Sequence, residues 1–231
     1  DQYKVEYQNN INAGKATVIV TGKKGYSGTV KKTFKITPFD ISVNNENFAY
    51  ASNISVPYAK GGAKLSDKDL NARFNLKDDK GTFIKTEQLQ QGKDLTLTYK
   101  NNKATGSAAL FSIKGKGNFK GTIKDISFTI TPQDLSKLKI TAADILESKA
   151  KNFNKVVPVI TDLDGKKLKK NTDFTCEYVY GDNQTSGTPS VGTTVKLTAK
   201  AAGTNYTGSI ITEFRVIAKE KNIAKASVTI N

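Results

Sequence analysis

Tyr3, Val5 and Tyr7 alternate with polar residues, and the same beat returns at Leu95, Leu97 and Tyr99 and again at Phe174, Cys176 and Tyr178. Residues two apart point to one face of a strand, so each run predicts a strand with one apolar face. A polar stretch follows every run: "QNNINAG", "KNNKATG" and "YGDNQTSG". Asn and Gly tolerate the backbone conformations that tight turns need. Alternation then resumes and predicts second strands at 16–21, 108–114 and 195–200. Third strands follow at 29–36, 122–130 and 209–217, each with a Phe-x-Ile or Phe-x-Val pair on the inward phase.

Between the second and third strands one phrase is written three times. In "GKKGYSGTVKKTFKITP", Gly22, Tyr26, Gly28, Phe34, Ile36 and Pro38 match Gly115, Phe119, Gly121, Phe128, Ile130 and Pro132. A weaker copy keeps Tyr206, Gly208, Phe214 and Val216. Pro38 to Pro132 is 94 residues and Phe119 to Tyr206 is 87. That period exceeds the roughly 20–50 residues of a solenoid unit. It suits a small domain repeated in tandem. The Gly-aromatic-Gly turn has two readings, a fold signature whose ring covers the end of the core or a row of aromatic platforms for sugars.

The front of each repeat is less regular. Residues 156–161 and 166–169 flank an Asp-Gly and predict a hairpin, with a counterpart in 73–76 and 82–85. "LSDKDLNARF" and "TAADILESKA" each suit one short helical turn, capped by Ser66 or Thr141. About seven short strands per repeat, with turn signals every 8–12 residues, predict an all-β chain of tandem immunoglobulin-like antiparallel β-sandwich modules. Pro38 and Pro132 favour extended joints. The boundaries then give the back part of a first module at 1–38, modules at 39–132 and 133–219, and a linker or opening strand of a further module at 220–231.

Composition narrows the chemistry. There is one Cys and no His, Met or Trp, so neither a disulfide framework nor a zinc site can be assembled. No His base, Gly-x-Ser-x-Gly elbow or phosphate loop is present, which argues against an enzyme, and no cofactor site is expected. "TDLDGKK" at 161–167 opens like a calcium loop but lacks the later acidic ligand, so a hairpin turn is the better reading. The net charge of +15 is spread evenly: 7 basic and 2 acidic residues in 1–38, 14 and 9 in 39–132, 15 and 10 in 133–231. Only Arg73 and Arg215 are arginines. Base and phosphate readout favours Arg, so no nucleic-acid role is expected; diffuse lysine suits a soluble surface or weak attraction to an anionic cell-wall polymer. No apolar run is long enough for a membrane span.

The stretch "DQYKVEYQNNINAGKATVIVTGKKGYSGTVKKTFKITP", and with it "DLTLTYKNNKATGSAALFSIKGKGNFKGT", resembles the tandem Ig-like repeats of large Gram-positive cell-surface and secreted proteins. The third copy departs further, with no Asn-Ala-Gly and a longer turn. The resemblance implies a non-catalytic, extracellular segment at a bacterial cell surface. It would serve as a spacer, stalk or adhesion module meeting a surface protein or polysaccharide of a host or neighbouring cell. The alternative is a carbohydrate-binding accessory module. For that alternative the candidate contacts are Phe48, Tyr50, Tyr58 and Tyr180, aromatics that do not recur between repeats and fall in irregular segments. Binding residues favour such loops, although a locally rearranged core would place aromatics there as well.

Overall fold

A computed structural model describes residues 1–43, 46–78 and 80–219. Strands make up 49% of the described residues, with few helices, and the protein is all-β. No helix among the described residues is long and apolar enough to cross a membrane. The segment 220–231, expected as a linker or opening strand, lies outside the described residues, as does Asp79 of the 73–85 hairpin.

Two compact units form. The first gathers Asp1–Val56, Lys64–Asn102 and Ser107–Thr129; the second gathers Pro57–Ala63, Lys103–Gly106 and Ile130–Asn231. Residues 57–63 and 103–106, which the repeat period assigns to the 39–132 module, therefore belong to the second unit.

In the first unit, β1 (Tyr3–Gln8), β2 (Gly14–Gly22) and β3 (Thr29–Ile36) make an antiparallel sheet in that order. Its pairing sets Val5 opposite Val20 and Val20 opposite Val30, so the apolar positions share one face as the alternation predicts. The chain continues through β4 (Phe39–Asp40), β5 (Phe48–Ala49), β6 (Ser55–Pro57), a helical turn α1 (Asp67–Leu70), β7 (Arg73–Lys77) and β8 (Phe83–Gln88). It closes with β9 (Leu95–Lys100), β10 (Ala109–Gly115), β11 (Phe119–Lys120) and β12 (Thr122–Thr131). Ser66 caps α1 as expected, in a reciprocal pair with Asp69: the Asp69 amide donates to Ser66 Oγ at 3.2 Å, and the Ser66 amide donates to Asp69 Oδ2 at 2.8 Å. Strands β7 and β8 form the predicted hairpin.

The second unit carries β13 (Gln133–Asp134), a 3₁₀ turn at Leu135–Lys137, β14 (Lys139–Thr141), β15 (Ile145–Leu146) and a kinked 3₁₀ segment at Glu147–Lys155. It continues with β16 (Val159–Thr161), β17 (Phe174–Tyr180), β18 (Thr194–Ala201), β19 (Tyr206–Thr207) and β20 (Ser209–Ile217). Thr141 is not a helix cap. It ends β14, which pairs antiparallel with β16, and the helical segment that follows starts at Glu147 with no side-chain cap. The β-propensity of Ile140 and Thr141 wins locally over the capping tendency of Thr.

The two later repeats are built alike. One four-stranded sheet runs β6-β12-β10-β9, the other β15-β20-β18-β17, and each repeat adds a short parallel pair, β4 with β11 or β13 with β19. Leu95, Phe111, Ile113 and Phe128 are buried on the first of these sheets, beneath Ile41, Ile54, Leu65, Leu70 and Leu89 from the front of the repeat. Phe174, Val195, Leu197, Phe214 and Val216 are buried on the second, with Leu135, Leu138, Ala150, Phe153, Ile160 and Leu168 completing the core.

Candidate functional site

The repeated phrase folds into one turn, closed each time by the same bond. The amides of Gly22, Gly115 and Ala201 donate to the carbonyls of Gly28, Gly121 and Gly208, all at 3.0 Å. A side chain at Gly115 would lie 2.6 Å from the Lys120 amide nitrogen, so close backbone approach, not torsional freedom, selects this glycine.

In the two later repeats the opening of the repeat lies along this turn. The Phe39 amide donates to Asn118 O at 2.8 Å and the Ile41 amide to Lys120 O at 2.9 Å, while the Gln133 amide donates to Asn205 O at 2.9 Å. The opening aspartate then turns back on its own segment. Asp40 Oδ1 accepts from the Ser42 hydroxyl at 2.5 Å and the Ser42 amide at 3.0 Å, and Asp134 Oδ1 accepts from the Ser136 amide at 2.9 Å. These donors hold both carboxyls below the usual range, the Ser42 hydroxyl chiefly for Asp40 and the Ser136 amide chiefly for Asp134. A Cβ added to Gly121 would fall 2.1 Å from Asp40 Oδ1, and one on Gly208 would fall 2.7 Å from Asp134 Oδ1. The glycine is therefore a seat in both repeats: it leaves room for the carboxylate. Above the seat the aromatic is buried, Phe119 at 9% exposure and Tyr206 at 3%.

The first unit also holds an open cleft of about 730 Å³. Phe39, Phe74 and Phe119 form its floor, in edge-on contacts with centroids 4.7, 5.5 and 6.4 Å apart. Asn12, Glu87, Gln88, Lys93 and Asn118 supply polar groups at its walls. Asn118 is fixed there: its Oδ1 accepts from the Ala13 amide at 2.7 Å and its Nδ2 donates to Asn12 Oδ1 at 2.9 Å. An aromatic floor with oriented amides is chemistry that suits a sugar ring and its hydroxyls.

The four candidate contacts fall two in each unit. Phe48 and Tyr50 are half-buried with ring centroids 5.9 Å apart. Tyr58 is buried in the second unit edge-on to Tyr206, and Tyr180 is buried against Phe153 with its hydroxyl donating to Ser186 O at 2.6 Å. None of the four lines the Phe39 cleft, although Phe48 pairs with Phe74 of its lining across β5 and β7. The cleft residues escaped the sequence reading because Phe119 carries the repeat pattern, whereas Asn12, Phe39, Phe74 and Gln88 come from separate strands and turns.

The Asp-x-Asp-Gly segment does fold as a hairpin turn, with the Gly165 amide donating to Asp162 O at 2.9 Å. Its carboxylates take protein donors. Asp162 Oδ2 accepts from the Lys60 amide at 2.7 Å and the Tyr206 hydroxyl at 3.1 Å, Asp164 accepts from the Gly61 amide, and Lys60 Nζ pairs with Asp173. Burial, with the Asp162 charge beside it, pushes the Tyr206 hydroxyl strongly upward. Among the described residues no group of three His, Cys, Asp or Glu side chains is arranged to hold a metal. Cys176, whose slot predicts a core residue, is only half-buried; burial still raises its thiol above the ordinary range.

A scan against protein-family models gives no match, and a search of curated proteins gives none either.

Proposed function

We propose that this chain is a non-catalytic segment of tandem immunoglobulin-like β-sandwich modules in a bacterial cell-surface or secreted protein, acting as a spacer or adhesion module. The observation that carries this is where the repeated residues go. Phe119 and Tyr206 are buried, Asp40 and Asp134 bind their own turns, and the Phe128 and Phe214 pairs fill cores. In the two later repeats the recurring residues build the repeat, which is what a spacer needs and what a row of ligand platforms would not do. The even spread of +5 per segment favours solubility along a tandem array and loose attraction to an anionic wall polymer.

A second reading, carbohydrate binding, is favoured by the aromatic-floored cleft alone. Affinity electrophoresis of the whole chain through starch, xylan and mannan gels separates the two. Unretarded migration in all three is expected. Retardation by one polysaccharide, lost in Gln88→Ala but kept in Tyr50→Ala, would move the function to the cleft; the opposite pattern would move it to the Phe48–Tyr50 pair.

A further inference from the structure

The first repeat carries the same three strands and the same turn, yet its apolar face is open. Tyr3 is 58% exposed, Tyr7 56%, Tyr26 61% and Phe34 40%. They share one surface: Tyr7 and Phe34 meet edge-on with centroids 6.3 Å apart. At the turn end of this face lies a groove of about 430 Å³ lined by Tyr3, Val20, Tyr26, Gly28 and Val30. Gly28 has φ +95° and open space where Gly121 and Gly208 meet an aspartate. Among the described residues strand β3 is also an edge of its sheet. Its counterpart β20 is flanked by β15, in parallel pairing of Ile145 with Val216 and Leu146 with Ile217.

We propose that this face, groove and edge form a docking surface for the opening segment of a repeat of the same kind. Such a segment is a polypeptide with an Asp-Ile/Leu-Ser start and a short apolar strand some ten residues on, chemically like residues 133–146. Each part of the surface has a worked equivalent elsewhere in the molecule. The groove beside Gly28 takes the aspartate, as Gly208 takes Asp134. The backbone of the turn takes the first residues, as Asn205 O takes the Gln133 amide. The free edge of β3 takes the short strand by main-chain hydrogen bonds, and its apolar residues cover the rings.

Area decides between this occupant and a second folded copy. With roughly 150–250 Å² available to bury on each aromatic side chain, the open parts of the four rings come to about 400 Å². One partner of a standard interface contributes about 800 Å². The patch is small for two sheets meeting face to face, and that arrangement would leave the Gly28 seat and the β3 edge unfilled. A segment that also adds a strand uses all three features.

The test adds a synthetic peptide of residues 133–146 to the full chain and follows amide shifts by NMR together with fluorescence anisotropy of the labelled peptide. The expected result is saturable 1:1 binding with shifts confined to residues 1–37. An Asp134→Ala peptide should bind at least about tenfold more weakly. Val30→Lys, a change at an exposed position, should abolish binding while leaving the shifts of β17–β20 unchanged. Shifts on β17–β20 alone would show exchange with the resident segment and would overturn the proposal. So would no binding at millimolar peptide, or concentration-dependent dimerisation that perturbs β1–β3 without peptide.

Discussion

The β1-β2-β3 sheet and the β17-β18-β20 part of the second unit are written in the same phrase and differ in what lies over them. Phe34 and Phe214 occupy equivalent positions, each two residues before an aliphatic partner, yet Phe34 is 40% exposed and Phe214 1%. Tyr26 and Tyr206 show the same contrast. The strand pattern thus specifies pairing and register by itself, since β1 to β3 pair regularly along their lengths. Burial is specified by other residues, the front of the repeat. Alternation tells which face is apolar, and a separate segment decides whether that face becomes a core.

The strongest way to break the comparison is to truncate the matched phenylalanines. Phe214→Ala should destabilise the second unit by about 3–5 kcal/mol, the range for large-to-small changes in a core. Phe34→Ala should cost less, about 1–2 kcal/mol, because 40% of the residue already faces water. Denaturant unfolding measures both; equal losses would mean that Phe34 is covered in solution.

The glycine seat gives a smaller contrast. Gly28, Gly121 and Gly208 all have positive φ, so alanine strains each backbone by about 1–2 kcal/mol. Gly121→Ala and Gly208→Ala must also displace Asp40 or Asp134, whereas Gly28→Ala meets open space. The two later variants should therefore melt lower than Gly28→Ala in calorimetry. Three equal shifts would dissolve the seat.

The smallest effect is in acid. Asp40 and Asp134 have folded-state values below the ordinary 3.8. A depressed carboxyl contributes stability that is present above its unfolded value and lost as pH falls through the folded one. Stability should therefore drop below about pH 4, and Asp134→Asn should flatten that drop; a titration with unchanged slope in the variant would remove the carboxylate from the account.

Much of this architecture is legible in the sequence, unevenly. The nine long strands around the repeated phrase follow from alternation, and Ser66 followed by Asp69 marks α1. Thr141 misleads because a capping residue beside Ile140 is also a good strand residue. The cleft is illegible for a different reason. Phe74, Gln88 and Asn118 are 14 to 44 residues apart and meet only because β7, β8 and the β10–β11 turn are brought together. Lys60 and its carboxylates, more than a hundred residues apart, could not be paired by any local rule.

Strand β12 carries one residue more than β3 or β20 between its glycine and its phenylalanine. The register shift against β10 between Phe111 and Ile113 absorbs it, with Asp125 at φ 56°. Phe128 and Ile130 still point inward. Read as heredity, this is a tolerance for a single inserted codon. A gene made of duplicated repeats can gain a triplet here without turning a strand inside out, and its copies are free to drift in length before they drift in fold.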